Sequence, residues 1–543
     1  MKFKSDQTED KLRGGYYTPQ HLANYVAQWV ASDIDENATI LEPSCGDGVF
    51  FRALSTTNFS KTNKLLGFEL LEEEAYKSRA LCRELGFKNF EIHSADFLSW
   101  ANEKINIQDF KVSGIVGNPP FIRYQFLEKK FQEQAELVFK QLDLKFTKHT
   151  NAWVPFVLAS MNMLEDGGKL GMIIPSEIIH VTHSRPLRDY LEKVCSKVLI
   201  IDPQEIWFDN TLQGAVIIFA EKKKNSDEKF RGIGIQQVSG LDFLKISPEK
   251  LYEKTNKIKG KTSDGKWTKG LLKKSEWKLI EEASKHKDVH RFIDIATVDV
   301  GIVTGANAFF LVNSATVKQY DLHDYALPMF GRSQHCKGVI YDESQHEENN
   351  NEGLPSNFLY IEEDFEELPL KVQEYIKTGQ EQNLHTRYKC RIREPWYKVP
   401  SIYATNLGML KRCHNFPRLI YNKIQAYTTD TAYRITSQIE PEILAYCFIN
   451  PLTAIYAELE GRSYGGGVLE LVPSEIAKLY IPININAHDI KTLNENIKSG
   501  QLSPIEIMRD NGYKVLEPLG FSKDEVDSLV AIWVKLKDRR LRK

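Results

Sequence analysis

Gly114-Ile115-Val116-Gly117-Asn118-Pro119-Pro120-Phe121 is the stretch from which the fold is read, a short apolar run that stops at an asparagine, two prolines and an aromatic ring. The run has the length and composition of a buried strand. The four residues at its end suit a demanding chemistry, the alkylation of an amine attached to a nucleobase. That nitrogen is a poor nucleophile because its lone pair is delocalised into the ring. If the Asn118 side-chain oxygen and the Pro119 carbonyl each accept one N–H, the nitrogen can pyramidalise toward an electrophilic methyl group. Consecutive prolines fix the backbone at φ of about −65° and bring no competing N–H. Phe121 would stack on the base. Taken alone, the string fits an ordinary strand and Asn-Pro turn equally well.

Working outward, short runs rich in Ile and Val recur at residues 39–41, 64–69, 91–95, 114–116, 169–174, 198–202 and 215–220, with helical patterns between them. Seven strands alternating with helices predict an α/β, doubly wound sheet with its ligand at the strand ends. Residues 151–164 form the clearest long helix, with a glycine stop at Asp166-Gly167-Gly168. Lys222-Lys223-Lys224 and the polar residues after it mark a boundary, giving a catalytic domain at 1–225 and a second domain, of α+β type, at 226–543. Residues 244–274 are lysine-rich and suit a surface segment or connector. Residues 298–312 read as a β-hairpin around Thr304-Gly305-Ala306-Asn307, and residues 342–352 as an exposed acidic loop.

The other strand ends carry acids. Leu41-Glu42-Pro43-Ser44-Cys45-Gly46-Asp47-Gly48 follows the first strand, where a doubly wound sheet needs a tight turn and close backbone approach to a ligand. Glu69 ends the second strand and could accept both hydroxyls of a ribose. Asp96-Phe97 ends the third; Asp96 could accept the amino hydrogens of a cofactor adenine while the Phe97 ring packs nearby. Each acid by itself could be a solvated strand end. Their order, with Asn118 at the fourth strand, favours a methyltransferase. No GxxxxGK[ST] loop is present and the glycine turn is not GxGxxG, which disfavours an ATPase or a dehydrogenase.

Composition bounds the rest. The 543 residues allow several domains, and a net charge of −2 implies no global affinity for nucleic acid. Seven cysteines without a CxxC pair favour reduced thiols in a cytosolic protein, with no structural metal site. The charged N-terminus lacks an apolar leader, and no segment approaches the ~18 apolar residues needed to span a bilayer.

With Tyr17-Thr18-Pro19 ahead of the first strand, this order of motifs resembles the gamma class of bacterial N6-adenine DNA methyltransferases, of TaqI type. The resemblance covers nearly the whole chain. It implies S-adenosylmethionine as cofactor, with Thr18, Glu42 and Cys45 around its methionine end and Phe156 by its adenine. Phe208, in Ile206-Trp207-Phe208-Asp209, would be the second aromatic face for a base flipped out of double-stranded DNA, unless it is simply core. Phe121 stands where many relatives have Tyr, and either ring can stack. The C-terminal half resembles a target-recognition domain around residues 299–307 and at Gly461-Arg462-Ser463-Tyr464-Gly465-Gly466-Gly467. Residues 121–125 and 150–156 are similar to XhoI-type methylases, which suggests a six-base palindrome such as CTCGAG.

Two basic segments bear on DNA. Residues 122–150 hold Arg123, Lys129, Lys130, Lys140, Lys145 and Lys148 among aromatics, and could close over phosphates or form an amphipathic helix packed on the sheet. Residues 386–434 carry ten Lys or Arg against two acids, interleaved with Tyr and Trp, as DNA contact requires. Residues 342–367 carry ten acids and no Lys or Arg, so the basic face could instead be paired internally. The expected activity is site-specific N6-adenine methylation in a type II restriction-modification system, by a monomer or weak dimer. A fused nuclease would need more sequence ahead of Tyr17, so a cognate endonuclease is expected on a separate chain. The rivals are a methyltransferase for glutamine amides or RNA, and a non-catalytic DNA-binding module of the same fold.

Overall fold

The computed structural model describes residues 18–105, 110–207, 214–260, 265–464, 466–486 and 489–542. The chain divides into two compact units, Met1–Lys274 with Arg542–Lys543, and Ser275–Leu541.

The first unit is a nine-stranded sheet: β1 (Thr39–Glu42), β2 (Lys64–Glu69), β3 (Phe90–Ser94), β4 (Val112–Gly117), β5 (Leu164–Pro175), β6 (Cys195–Pro203), β7 (Ala215–Lys222), β8 (Ile233–Val238) and β9 (Lys257–Ile258), in spatial order 3-2-1-4-5-7-6-8-9. The first five strands run parallel. β7 inserts antiparallel between β5 and β6, β8 runs parallel to β6, and β9 closes the edge antiparallel. All seven expected strands form. β8 and β9 enlarge the sheet, and so the unit runs to Lys274 rather than ending at 225. Residues 244–274 are part of it, not a connector: Leu251, Tyr252, Ile258 and Trp267 are buried, and the Trp267 N–H donates to the Ile179 carbonyl at 2.8 Å.

Strand order reverses between β1 and β4, the position at which a doubly wound sheet offers a ligand crevice at its carboxyl ends. Helix α1 (Gln20–Val30) lies close against the sheet there. A Cβ on Gly114 would fall 2.6 Å from a Val30 methyl, and one on Gly171 2.7 Å from a Val26 methyl. Gly114 is thus demanded by packing. The helix expected at 151–164 is Trp153–Met163, and it passes directly into β5. Gly167 and Gly168 lie inside that strand, at the irregular register between β4 and β5, so they mark a bulge rather than a helix stop.

The second unit is α+β. Ala296–Val300, Ala432–Ser437, Leu407–Leu410, Leu419–Asn422 and Ile340–Tyr341 form a five-stranded sheet in that order. The expected hairpin is not formed. Ala296–Val300 pairs instead with Ala432–Ser437, Asn307–Phe310 is a helical turn, and Leu311–Val312 pairs with Asn357–Leu359. Tertiary pairing with distant segments outweighs the local turn signal because Phe309 and Phe310 bury against Tyr375 and Trp396. Nor are residues 342–352 a loop. Glu343–Asn351 is a helix capped by Asp342, and its buried Asn349 donates to the His335 carbonyl at 2.8 Å.

Candidate active site at the ends of β1 to β5

The turn after β1 is built by glycine. Gly46 and Gly48 sit at φ +50° and +91°, in the left-handed region that side chains disfavour. The turn is tied down on three sides. The Cys45 N–H donates to the Phe68 carbonyl at 2.8 Å, the Ser78 hydroxyl to the Gly46 carbonyl at 2.8 Å, and the Gly46 N–H to Glu69 Oε2 at 3.0 Å. Glu69 Oε1 accepts from the Leu71 N–H at 3.0 Å. Above Gly46 the space is open, with no atom within 4 Å of where a Cβ would stand.

Glu42 is the most strongly perturbed acid of this turn. Its side chain is buried, and Oε2 has no hydrogen-bond partner among the described residues. Burial holds its carboxyl well above the usual range, and the neighbouring Asp47 and Glu69 push the same way. Burial likewise pushes the Cys45 thiol up, which keeps it a neutral thiol and a poor nucleophile. The acids around this glycine turn disfavour a phosphate, and a cation brought against Glu42 would favour its ionised form. This is the electrostatics of a site for an ammonium or sulfonium group.

Helix α2 (Phe97–Lys104) starts at Asp96, whose carboxylate accepts from the Leu98 N–H at 3.1 Å, the Ser99 N–H at 3.2 Å and the Ser99 hydroxyl at 2.6 Å. Asp96 is therefore an N-cap as well as a candidate adenine acceptor, a role that Asp-x-x-Ser spacing could have suggested. Buried Phe97 lies 5.2 Å from the ring of Phe156, which in turn stacks at 6.2 Å on Phe131.

The β4 loop joins this turn directly. The Ser44 hydroxyl donates to the Asn118 carbonyl at 3.1 Å, and Asn118 Nδ2 donates to Thr18 Oγ1 at 3.2 Å. Thr18 is buried, Pro119 is buried, and Phe121 is half-buried against the sheet core. The structure thus gathers Thr18, Cys45, Gly46, Glu69 and Asn118 at one crevice. Phe208 and Tyr17 lie outside the described residues.

Residues 122–150 contain the amphipathic helix α3 (Lys129–Gln141), packed through Ala135, Val138 and Phe139. Asn102 of α2 donates to the Gln134 carbonyl at 3.0 Å, and Gln141 to the Asn102 carbonyl at 3.0 Å. The amphipathic helix forms but packs on neighbouring helices rather than on the sheet, and Arg123, Lys129, Lys130, Lys140, Lys145 and Lys148 all remain exposed.

One functional candidate escaped the sequence reading. Glu177, just past β5, accepts from Asn151 Nδ2 at 2.7 Å, and the next residue, Ala152, donates its N–H to the Ile122 carbonyl at 2.9 Å. Burial raises the Glu177 carboxyl, against the opposing influence of Asn151 and Arg123. Ser176-Glu177 at the end of an Ile-Ile-Pro strand was the available signal. Among the described residues no three His, Cys, Asp or Glu side chains form a metal-holding group, and no helix is long and apolar enough to cross a membrane.

A sequence model of the N-6 DNA methylase family matches residues 3–294, more than half of the chain. The chain belongs to that family. Residues 264–516 of this N-6 DNA methylase match the C-terminal domain of the type II methyltransferase M.Eco57I. It is 24% identical over 479 residues to type II methyltransferase M.AccI of Acinetobacter calcoaceticus, covering 85% of this chain and 84% of that one. It is 23% identical to M.BstVI of Geobacillus stearothermophilus, covering 62% and 66%. Among solved structures, the DrdV–DNA complex superposes with a TM-score of 0.51 at 12% identity, over 92% of this chain and 58% of that one, a likeness of fold.

Proposed function

We propose that this methylase is of the gamma class, and that it transfers the methyl of S-adenosylmethionine to N6 of an adenine flipped out of duplex DNA. It would be the modification half of a type II restriction-modification system. The observation that carries this reading is the join between the acid-ringed glycine turn and the Asn118 loop through Ser44 and Thr18.

The residues present fit the cofactor. The orphaned Glu42 oxygen suits the methionine ammonium, the open space over Gly46 suits close approach of the ligand, and Glu69 keeps lone pairs for ribose hydroxyls. Phe97 and Phe156, packed on each other, would lie beside the adenine, whose amino group Asp96 could still accept. When bound there, S-adenosylmethionine supplies an electrophilic sulfonium methyl, with the thioether as leaving group. The Asn118 side-chain oxygen and the Pro119 carbonyl hold the target amine, and Phe121, with Phe208 opposite, holds the base. The surplus proton on N6 would pass to water.

Asn118→Ala is expected to bind cofactor and duplex DNA normally and to methylate roughly 10²–10³-fold more slowly, the loss typical of a transition-state hydrogen-bonding group. Near-normal turnover would overturn the assignment. Modified-base sequencing of DNA from cells expressing the chain should show one methyladenine motif. Parallel assays on duplex DNA, RNA and protein distinguish this reading from methylation of RNA or glutamine amides. The XhoI-type likeness makes CTCGAG the first site to test.

A further inference from the structure

Residues 387–393 of the second unit concentrate Arg387, Lys389, Arg391 and Arg393 beside the single acid Glu394. Arg387, Lys389 and Arg391 are exposed, and among the described residues no carboxylate bridges them. The acidic stretch at 342–367 does not neutralise this segment. Its bridges run from Asp364 to Lys398, from Glu348 and Glu352 to Lys337, and from Glu348 to Lys498. Between the cations, Tyr388 is 63% and Ile392 59% exposed, and Lys389 and Arg391 lie 5.6 and 5.8 Å from the Tyr388 ring centre.

The segment is a fixed platform. Arg393 donates to the Thr304 carbonyl at 2.8 Å and to that of Val303, and the buried Cys390 thiol to Thr304 at 3.8 Å. A Cβ on Gly305 would come within 2.7 Å of Lys389 Cβ. The turn beneath is itself braced, with Asn307 donating to Asp430 at 3.0 Å. Unneutralised like charges repel one another, and an exposed ring and aliphatic chain forgo burial. A partner that is both polyanionic and edged with flat apolar groups satisfies both.

We propose that residues 387–393 are a DNA-contacting edge of the second unit, with Arg387, Lys389 and Arg391 on phosphates and Tyr388 and Ile392 against sugar and base edges. The proposal rests on the DNA-methyltransferase reading and adds where the duplex is held. The test measures binding of a cognate duplex to the full chain across a salt series, alongside turnover and cofactor binding. In the triple variant R387A/K389A/R391A, the slope of log affinity against log salt should fall by roughly 2–3, at about 0.9 per phosphate contact. Melting temperature and cofactor affinity should stay unchanged. Tyr388→Ala should weaken binding about tenfold with the slope intact, as loss of an apolar base contact does. The charge-conserving R387K/K389R/R391K should keep the slope. A triple variant with unaltered affinity and slope, beside a wild type that methylates DNA, overturns the DNA edge alone. A wild type that neither binds nor methylates duplex DNA removes the function proposed above.

Discussion

Asn118 turns its amide nitrogen toward Thr18, Nδ2 to Oγ1 at 3.2 Å, so its side-chain oxygen faces away from that hydroxyl. That contact accompanies the amide orientation which the role proposed for Asn118 requires. Thr18→Val keeps the shape and removes the acceptor, which frees the amide to rotate. Turnover should fall about tenfold, the worth of one hydrogen bond of about 1.4 kcal/mol. Thr18→Ser should restore it. Single-turnover methylation with cofactor saturating measures this; equal rates for the Val and wild-type forms would show that Thr18 does not orient Asn118.

Glu42 gives a pH dependence whose sign is set by its cause. Burial first, then Asp47 and Glu69, raise its folded value above that of the unfolded chain. The stability it contributes is fully present below the ordinary carboxylate value and is lost as pH rises through the raised folded value. Without cofactor, the protein should melt at progressively lower temperature as pH climbs above about 4.5, the ordinary value for Glu. Glu42→Gln should flatten that fall and raise the melting temperature near neutral pH, while weakening S-adenosylmethionine binding in calorimetry. A variant with a wild-type pH slope and undiminished cofactor affinity would remove Glu42 from the site.

Asp96 has two jobs to separate. As an N-cap it supports the first turn of α2, so Asp96→Ala should cost about 0.5–2 kcal/mol of stability with or without cofactor. Asp96→Asn retains a capping oxygen and should recover most of that loss. Affinity for S-adenosylmethionine should drop in both variants if the carboxylate also accepts the adenine amino group. Wild-type affinity in Asp96→Asn would leave Asp96 with the capping role alone.

The sheet was legible because its first seven strands are short, largely apolar runs, several of which end at an acid or at Asn-Pro. The gathering of Thr18, Gly46, Glu69 and Asn118 was legible for the same reason, since these residues lie at or beside the ends of neighbouring strands. β8 and β9 were missed because Lys222-Lys223-Lys224 looks like a linker. Yet Lys222 is the last residue of β7, its ammonium donating to the Leu164 carbonyl at 2.6 Å, and the chain beyond it returns to pair with β6. The second unit was misread at 298–312 and 342–352 because its strands pair with segments distant in sequence and its acidic helix buries Asn349, neither of which local periodicity encodes.

Glu177 bears on the catalytic loop through its neighbours. Its carboxylate holds Asn151, whose successor Ala152 donates to Ile122, immediately after Phe121. Cutting the first link should loosen the stacking ring and the Pro119 carbonyl without touching the glycine turn. Glu177→Ala should therefore lower turnover by about ten- to a hundredfold, as small misplacement of a positioned group does, and leave cofactor affinity unchanged. Glu177→Gln still accepts from Asn151 and should keep most of the activity. The pH profile divides the remaining possibilities. If ionised Glu177 is needed, wild-type turnover should rise with pH through a range above the ordinary carboxylate value, since burial raises this group, and the Gln variant should be slow at every pH. If hydrogen-bond acceptance alone is needed, the two profiles should coincide. A Glu177→Ala variant with wild-type turnover would sever Glu177 from the loop altogether.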